Sequence, residues 1–428
     1  MIDMDFKESY YNYHVTSKDD VLIYNFLNST CVIMNKVEFE DFKKQKLNEE
    51  YNDTLKCLGI YVPIDTNELD YHLSLKRIAC ENDKLAFFRI YTTYNCNAHC
   101  FYCYENGVKK SNMDYDHIKK TIQFVKDNSI DSDKIVIEWF GGEPLINQKV
   151  IDEISTEIIK FSDENNIIYE SRMISNGFLF DDYIIKKAKN DWNLKFIQIT
   201  LDGLKETYEK TKKFNVENSF ERVLDNIENI LKNKIHVNIR INYSSNNIDE
   251  ILELIDLLTS RFKKFDNFNI YSKEIMDEKN EDNIYVNVEN NIRVFKKFYD
   301  LNLIPDILNT MPVRNYQCVA NKVNAYMIDP DGNIGKCSQA LAKKDFVGNI
   351  EDGLNISDLS KWLTTRLEND SVDCNKCKFL PICNGGCIYE RLQNKKFCFA
   401  NEKLIKYKLT LYLEDYQKKE IKNDSDKI

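Results

Sequence analysis

Three cysteines with the spacing C-x3-C-x2-C lie close together in the first quarter of the chain, at Cys96, Cys100 and Cys103. A closed structural zinc site or an ordinary [4Fe–4S] cluster needs four protein ligands. Three thiolates from one loop would therefore leave one iron of a cubane cluster free to bind a further ligand, and such an iron is reactive. The alternative interpretation is a partial zinc site or three structural thiols.

The residues around these cysteines predict a strand, a helix and a second strand. Residues 87–93 are rich in aromatic and β-branched side chains, which is typical of a strand, and they lead into the cysteine loop. A helix is expected over 115–124 and a strand over 135–140, which is followed directly by the run Gly141-Gly142-Glu143-Pro144. Two adjacent glycines at the end of a strand allow the backbone to approach a ligand closely.

The alternation of helices and strands continues through four further strands. The strands are expected at 167–174, 196–201, 236–241 and 268–271, and the helices at 147–165, 181–189, 220–231 and 248–262. Six strands alternating with helices predict parallel pairing with right-handed crossovers. Polar residues follow several of these strands, and βα barrels carry their chemistry at this edge. Helix capping and turn formation would also explain such residues one by one.

This order of motifs resembles the radical S-adenosylmethionine (SAM) enzymes, in which the GGEP run lies along the amino group of the methionine half of SAM. The resemblance implies an α/β fold with a partial (β/α)6 barrel and a SAM-binding [4Fe–4S] cluster on the three cysteines. Some relatives carry an arginine after the turn that matches Asp202-Gly203, near the carboxylate of SAM. Here the candidates for this contact are Lys212 and Lys213, and a lysine offers a point charge rather than the planar guanidinium group of arginine. The residues that it implies for SAM binding are Tyr102, Gly141, Gly142, Glu143, Pro144, Ser175, Asn176, Thr200, Asp202, Lys212 and Arg240.

A second group of cysteines begins at Cys318 and continues through and beyond a β-hairpin predicted over 327–337, with a DG turn at Asp331-Gly332. This group resembles the SPASM extension of peptide-modifying radical SAM enzymes, which binds two auxiliary [4Fe–4S] clusters. The resemblance assigns the first auxiliary cluster to Cys318, Cys337 and Cys387, and the second to Cys374, Cys377, Cys383 and Cys398. Some relatives have a further cysteine shortly after the first one; residues 319–326 contain none, which would leave the first auxiliary cluster open at one iron. A zinc ribbon on the C-x2-C pair at 374–377 is the competing interpretation.

Composition favours reduced thiols in a cytoplasmic protein. The chain has 428 residues, 13 cysteines and a formal net charge of −10. It lacks a basic and apolar N-terminal leader, and no apolar stretch is long enough to span a bilayer. Its negative charge argues against binding to nucleic acid or to an anionic membrane. The three clusters use ten cysteines, and the other three, Cys31, Cys57 and Cys80, are expected to be buried as small hydrophobic residues.

The predicted domains are an N-terminal recognition domain with its linker (1–85), the barrel (86–305) and the SPASM module with a C-terminal helix and tail (306–428). Paired strands at 21–25 and 31–35, followed by helices at 37–47 and 49–58, have the outline of the small winged-helix domain of many peptide maturases. That domain captures the leader of a precursor peptide as an added strand; simple packing against the barrel is the alternative. Residues 64–85 are expected to be a polar linker, 274–287 a charged insertion, and the tail after Tyr416 disordered.

The resemblance implies a peptide-modifying oxidoreductase that uses a 5′-deoxyadenosyl radical. The expected reaction is a cross-link in a ribosomally made precursor peptide, with a thioether preferred to a carbon–carbon bond. Its cofactors would be three [4Fe–4S] clusters and SAM, and its reductant a flavodoxin or ferredoxin. One rival is an enzyme that makes formylglycine in sulfatases, although those relatives place an Asp directly after the cysteine that matches Cys337, and here that residue is Ser338. A rival of another class is a non-catalytic zinc or iron–sulfur protein.

Overall fold

The structure is a computed structural model that describes residues 5–275, 287–313, 318–365, 372–395, 398 and 400–425. Most of the charged insertion predicted at 274–287 therefore lies outside the described residues. The N-terminal elements are β1 (Phe6–Glu8), β2 (Asn12–Ser17), β3 (Asp20–Asn25), β4 (Thr30–Asn35), α1 (Lys36–Lys43), α2 (Glu49–Cys57), β5 (Tyr61–Pro63) and α3 (Glu68–Glu81).

Strands and helices then alternate through the middle of the chain. These elements are β6 (Leu85–Thr93), α4 (Tyr115–Asp127), β7 (Lys134–Gly141), α5 (Gln148–Asn165), β8 (Ile168–Ser175), α6 (Asp182–Asn190), β9 (Leu194–Leu201), α7 (Lys205–Lys212), α8 (Ser219–Lys232), β10 (His236–Tyr243), α9 (Ile248–Phe262), β11 (Phe268–Glu274) and α10 (Val288–Asp300). The remaining elements are β12 (Ala325–Ile328), β13 (Asn333–Gly335), β14 (Gly348–Asn349), β15 (Gly353–Leu354), α11 (Ile356–Thr365), α12 (Val372–Asn375), α13 (Leu380–Cys383), α14 (Ile388–Leu392) and α15 (Glu402–Ser425).

Strands β6 to β11 are parallel and lie in sequence order within one sheet, as the alternating pattern predicts. On β8, and on β9 from Ile197 onward, every second residue is buried, which places one row of side chains under the flanking helices. The six-stranded α/β architecture predicted from the sequence is confirmed. The sheet also continues beyond β6, because β12 pairs with it in parallel and β13, β14 and β15 follow in antiparallel order.

The chain divides into two compact units. One comprises Met1–Cys80, Asn291–Gln317 and Thr365–Ile428, and the other comprises Glu81–Asn290 and Cys318–Thr364. The parallel sheet and its extension belong to the second unit. The division into three domains with boundaries at 85 and 305 stays a prediction.

The first unit is built around the three-stranded antiparallel sheet β2-β3-β4. One core cluster joins this sheet to α15 and includes Leu22, Tyr24, Leu409 and Leu413. A second cluster joins Ile23 and Met34 to residues of α1 and α2. Since neighbouring residues of β3 enter different clusters, apolar layers cover both faces of the sheet. The predicted pairing of the segments 21–25 and 31–35 is confirmed.

Three sequence expectations differ from the structure. Residues 68–81 of the expected linker form α3. The tail expected to be disordered after Tyr416 continues as helix α15 to Ser425, and Gln417 at the start of this tail is buried and donates to the Ser17 carbonyl of β2 at 3.0 Å. Among the cysteines outside the predicted clusters, Cys80 is buried and Cys31 partly buried, whereas Cys57 is exposed. No helix in the described part of the chain combines the length and apolar character needed to cross a bilayer.

Candidate active site

The three cysteines of the C-x3-C-x2-C motif lie in the loop that follows β6, and all three are partly buried. Burial raises the pKa of the Cys96 thiol to about 11, and the neighbouring thiols of Cys100 and Cys103 add to this rise. The thiols are therefore near enough to interact. No three His, Cys, Asp or Glu side chains in the described ranges converge on a point where a single metal ion would fit. Each thiolate of a cubane binds a different iron atom, so such ligands need not share one point.

Gly141 and Gly142 hold the start of the cysteine loop against the end of β7. The N–H of Gly142 donates to the carbonyl of Thr93 at 3.0 Å, and the N–H of Glu143 donates to the carbonyl of Asn95 at 2.9 Å. A Cβ on Gly141 would overlap the carbonyl oxygen of Thr93, and one on Gly142 would overlap that of Asn95. The backbone that approaches these glycines is thus that of the cysteine loop itself.

Replacing Gly142 with alanine is expected to destabilise the protein by about 2 kcal/mol or more, because the cysteine loop must move away from β7. The measurement is the free energy of unfolding, together with the iron bound after anaerobic reconstitution. Gly107→Ala is the control: a Cβ there would meet no atom within 4 Å, so it should cost only the backbone strain of its φ of +89°, about 1 kcal/mol, and leave the bound iron unchanged. Equal effects of the two substitutions would contradict this role of Gly142.

Glu143 joins the GGEP run to the end of β8. It is fully buried, and its carboxylate accepts hydrogen bonds from the Ser175 hydroxyl at 2.9 Å and from the N–H of Asn176 at 2.9 Å. Burial raises the pKa of Glu143 to about 7, although the hydrogen bond from the N–H of Asn176 opposes this rise. The Asn176 amide in turn donates to Asn97 Oδ1 at 2.7 Å, inside the cysteine loop. One chain of hydrogen bonds therefore links three of the predicted motifs.

A buried ion pair lies on the other side of the cysteine loop. Lys212 Nζ is 2.8 Å from Asp202 Oδ2, and the two side chains are only 4% and 3% exposed. The Tyr102 hydroxyl donates to the same carboxylate oxygen at 2.6 Å, and Lys212 Nζ donates to the Tyr102 oxygen at 3.0 Å. Burial alone would lower the pKa of Lys212, but the Asp202 carboxylate raises it well above the usual value. The N–H of His99 also donates to the Lys212 carbonyl at 2.7 Å, which fixes the cysteine loop to the end of α7.

Several buried polar atoms around this loop have no hydrogen-bond partner among the described residues. They include Asp202 Oδ1, Asn97 Nδ2 and the hydroxyl of Tyr208. Buried polar atoms are normally paired, so unpaired ones need an explanation. A polar ligand carrying hydroxyl, ammonium and carboxylate groups, as SAM does, offers partners for both donors and acceptors. The residues present therefore fit a SAM ligand beside the cysteine loop.

Among the described residues, two that are predicted to bind SAM, Arg240 and Thr200, lie next to other groups. Arg240 donates to Asn242 Oδ1 at 2.8 Å and also interacts with Tyr271. Thr200 lies beside Arg240 in the β9–β10 register. Their predicted contacts with SAM stay predictions. Lys213, the other lysine candidate, is the exposed C-cap of α7.

The cysteines predicted for the auxiliary clusters divide between the two units. Cys318 and Cys337 belong to the unit that contains the parallel sheet, whereas Cys387 belongs to the other unit. Burial raises the pKa of the Cys377 thiol, and the thiols of Cys374, Cys383 and Cys398 contribute to the same rise. The four thiols assigned to the second auxiliary cluster therefore lie near one another. Both assignments stay predictions.

The sequence reasoning missed two residues of this site, Asn97 and Tyr208. Asn97 could have been suspected, because an amide between two cysteine ligands is well placed to contact a bound group. Tyr208 gave no such signal, since a tyrosine on a helix is most often a core residue. Its hydroxyl is conspicuous only because the structure buries it without a described partner.

Comparison with known families agrees with this geometry. Residues 90–258, which contain the cysteine loop, the GGEP run and strands β7 to β10, match the Radical SAM superfamily. The chain contains a radical SAM domain. It is thus a radical SAM enzyme, and this superfamily uses a [4Fe–4S] cluster and SAM.

Relatives of this radical SAM enzyme extend the likeness beyond the domain. A cysteine-type anaerobic sulfatase-maturating enzyme of Clostridium novyi is 23% identical over 344 residues, which are 72% of this chain and 87% of that protein. The radical SAM cyclopropyl synthase TigE of Paramaledivibacter caminithermalis is 22% identical over 386 residues, 82% of this chain and 78% of that one. The structure of Streptococcus suis SuiB bound to precursor peptide SuiA aligns with a TM-score of 0.51 at 15% identity, covering 92% of this chain and 98% of that one.

Proposed function

We propose that this radical SAM enzyme installs a cross-link in a ribosomally made precursor peptide, with a thioether preferred to a carbon–carbon bond. The observation that carries the peptide assignment is a strand edge in the first unit. Strand β4 lies at one edge of the sheet β2-β3-β4 and pairs only with β3 among the described residues. An unpaired edge can receive an extended peptide as a further strand.

The opposite edge of this sheet is less accessible to a peptide. Lys378 Nζ donates to the Asn12 carbonyl at 2.9 Å, and the Gln417 amide donates to the Ser17 carbonyl at 3.0 Å. These contacts occupy carbonyl groups at both ends of β2. We therefore assign leader binding to β4. SuiB, which aligns over most of this chain, is a protein that binds its precursor peptide SuiA.

Proline substitutions in β4 test leader binding at this edge. Neighbouring residues of a strand direct their N–H groups to opposite sides. One of the two substitutions Val32→Pro and Ile33→Pro therefore removes a hydrogen-bond donor from the free edge of β4, and the other removes a backbone hydrogen bond between β3 and β4. The edge variant should keep its melting temperature and lose roughly tenfold in affinity for the leader, the free energy of about one hydrogen bond. The measurement is fluorescence anisotropy with a labelled leader peptide. If neither folded variant binds the leader more weakly, β4 is not the leader site.

In the radical SAM domain, we assign Cys96, Cys100 and Cys103 to the cluster. When bound, the cluster and SAM supply the one-electron cleavage of SAM on which the chemistry of this superfamily rests. Lys212, Asp202 and Tyr102 then form a fixed polar wall, in which Asp202 Oδ1, unpaired among the described residues, can accept a hydrogen bond from the ligand. Because Lys212 and Asp202 are buried and all three groups are already paired with one another, they need little rearrangement on binding.

The products separate this proposal from its rivals. The enzyme is reconstituted anaerobically with iron, sulfide, SAM and a reductant, and it is incubated with the peptide encoded beside its gene. A cross-link removes two hydrogens from the peptide, so its mass falls by the mass of two hydrogen atoms while 5′-deoxyadenosine forms. Formation of 5′-deoxyadenosine without this change in peptide mass would contradict the cross-link. Three cubanes predict about twelve iron atoms per chain, whereas stoichiometric zinc without iron would contradict the cluster assignment.

Sulfatase maturation is a second candidate, favoured by the likeness to the C. novyi enzyme. The site argues against it, because the residue after Cys337 is the neutral Ser338, whose hydroxyl accepts a hydrogen bond from Arg89 Nη1 at 2.7 Å. Arg89 is also ion-paired with Glu138. This position therefore has a neutral hydroxyl beside a cation in place of a carboxylate. Conversion of a cysteine-containing sulfatase peptide to formylglycine would overturn the preference for cross-linking.

A further inference from the structure

Helix α3 buries a row of polar side chains. Glu68, His72, Lys76 and Cys80 are spaced four residues apart, so they lie on one face of the helix, and all four are buried. Burying an ammonium group costs several kcal/mol unless it is paired. Such a row is unusual in a segment whose sequence is typical of a linker.

Two residues of this row contact the turn that follows Cys383. His72 Nε2 lies 3.0 Å from Asn384 Oδ1, and Lys76 Nζ donates to the Asn384 carbonyl at 3.2 Å. Asn384 lies between Cys383 and Cys387 and adopts a left-handed conformation with a φ of +54°. Helix α3 therefore holds the backbone of the cysteine-rich segment within the same unit.

The charge of Lys76 has no carboxylate partner in the described part of the chain. Lys76 is only 3% exposed. Among the described residues, its ammonium group makes one hydrogen bond, to the neutral carbonyl of Asn384. Burial and the neighbouring Arg391 cation lower the pKa of Lys76 to about 8, whereas the sulfur atoms of Cys80, Cys383 and Cys374 act in the opposite direction. A buried cation surrounded by thiols is stabilised when those thiols bind a metal cluster as thiolates, because four thiolates give a cubane a net negative charge.

We propose that Lys76 is the charge-compensating residue of a metal–sulfur cluster held by Cys374, Cys377, Cys383 and Cys398, and that it raises the reduction potential of this cluster. A nearby cation stabilises the reduced cluster more than the oxidised one, because the reduced form carries one more negative charge. His72 is a positioning residue that fixes Asn384 and thereby the carbonyl that holds Lys76. This inference rests on the proposed auxiliary cluster but not on the proposed peptide chemistry.

The test is an anaerobic redox titration followed by electron paramagnetic resonance. It uses the full chain with Cys96, Cys100 and Cys103 replaced by alanine, so that only auxiliary clusters contribute, and the relevant signal is the one lost in Cys374→Ala. In this background, Lys76→Met and Lys76→Gln should lower the midpoint potential, because both remove the charge. Lys76→Arg should keep the potential, since it retains the charge. Arg77→Met is the matched control, because it removes a charge from the neighbouring exposed position of α3.

Loss of iron from Lys76→Met with retention in Lys76→Arg would also support charge compensation. The proposal is overturned if the neutral variants keep both their iron and their midpoint potential, if Arg77→Met shifts the potential equally, or if Lys76→Arg loses the cluster as well. Zinc in place of iron in the parent protein would overturn it too, since zinc has no such couple. None of these outcomes depends on the peptide substrate, so failure here and failure of the cross-linking proposal are distinguishable.

Discussion

Lys212→Met is expected to lower the free energy of unfolding by about 3–5 kcal/mol and to abolish measurable SAM binding. The substitution leaves the Asp202 carboxylate buried without its cation, and an uncompensated buried charge is costly. It also removes the donor to Tyr102 and loosens the end of α7 to which His99 is bonded. Chemical denaturation and equilibrium binding of SAM measure the two effects.

Two controls make the result specific. Adding Asp202→Asn to Lys212→Met removes the second charge of the pair, so the double variant should recover much of the lost stability but not SAM binding. Lys205→Met breaks an exposed ion pair with Glu221 and should cost less than about 1 kcal/mol. A Lys212→Met protein as stable as Lys205→Met would show that the buried pair does not have the role assigned to it.

Replacing any one of Cys96, Cys100 and Cys103 with alanine should lower the bound iron from about twelve to about eight atoms per chain. Formation of 5′-deoxyadenosine should then fall to the background of unreconstituted protein, because no other site in this account cleaves SAM. The measurements are iron and sulfide content and product formation. Cys57→Ala is the matched control, since Cys57 is exposed and outside every predicted cluster, and it should change neither quantity. Retention of full product formation by Cys100→Ala would contradict the assignment.

The parallel strands were predictable because each is an apolar segment that ends in polar residues. Strands of a parallel sheet are buried on both faces and are therefore rich in β-branched and aromatic side chains. Residues 87–93 and 135–140 show this composition. Helix α8 was equally clear, because residues such as Val223, Ile227 and Ile230 repeat at helical spacing and are buried. The composition and periodicity of each segment were therefore enough to predict these elements.

Other features depend on contacts between residues that are distant in sequence. The role of Gly142 follows from the approach of Asn95, which lies about fifty residues earlier. The parallel pairing of β12 with β6 joins segments more than two hundred residues apart. The sequence of helix α3 predicts a linker because its buried face is polar, and a polar face lacks the apolar periodicity that indicates a helix. Patterns within a segment cannot show which distant partner makes a polar residue stable.

The most direct test of the central claim is the response of the reduced SAM cluster to SAM. Anaerobically reconstituted protein with its auxiliary cysteines replaced by alanine is reduced with dithionite, and its electron paramagnetic resonance spectrum is recorded before and after SAM is added. A cubane held by Cys96, Cys100 and Cys103 should give a signal whose shape changes with SAM, and Lys212→Met should remove that change. A fully loaded, reduced cluster whose spectrum is identical with and without SAM would contradict the account.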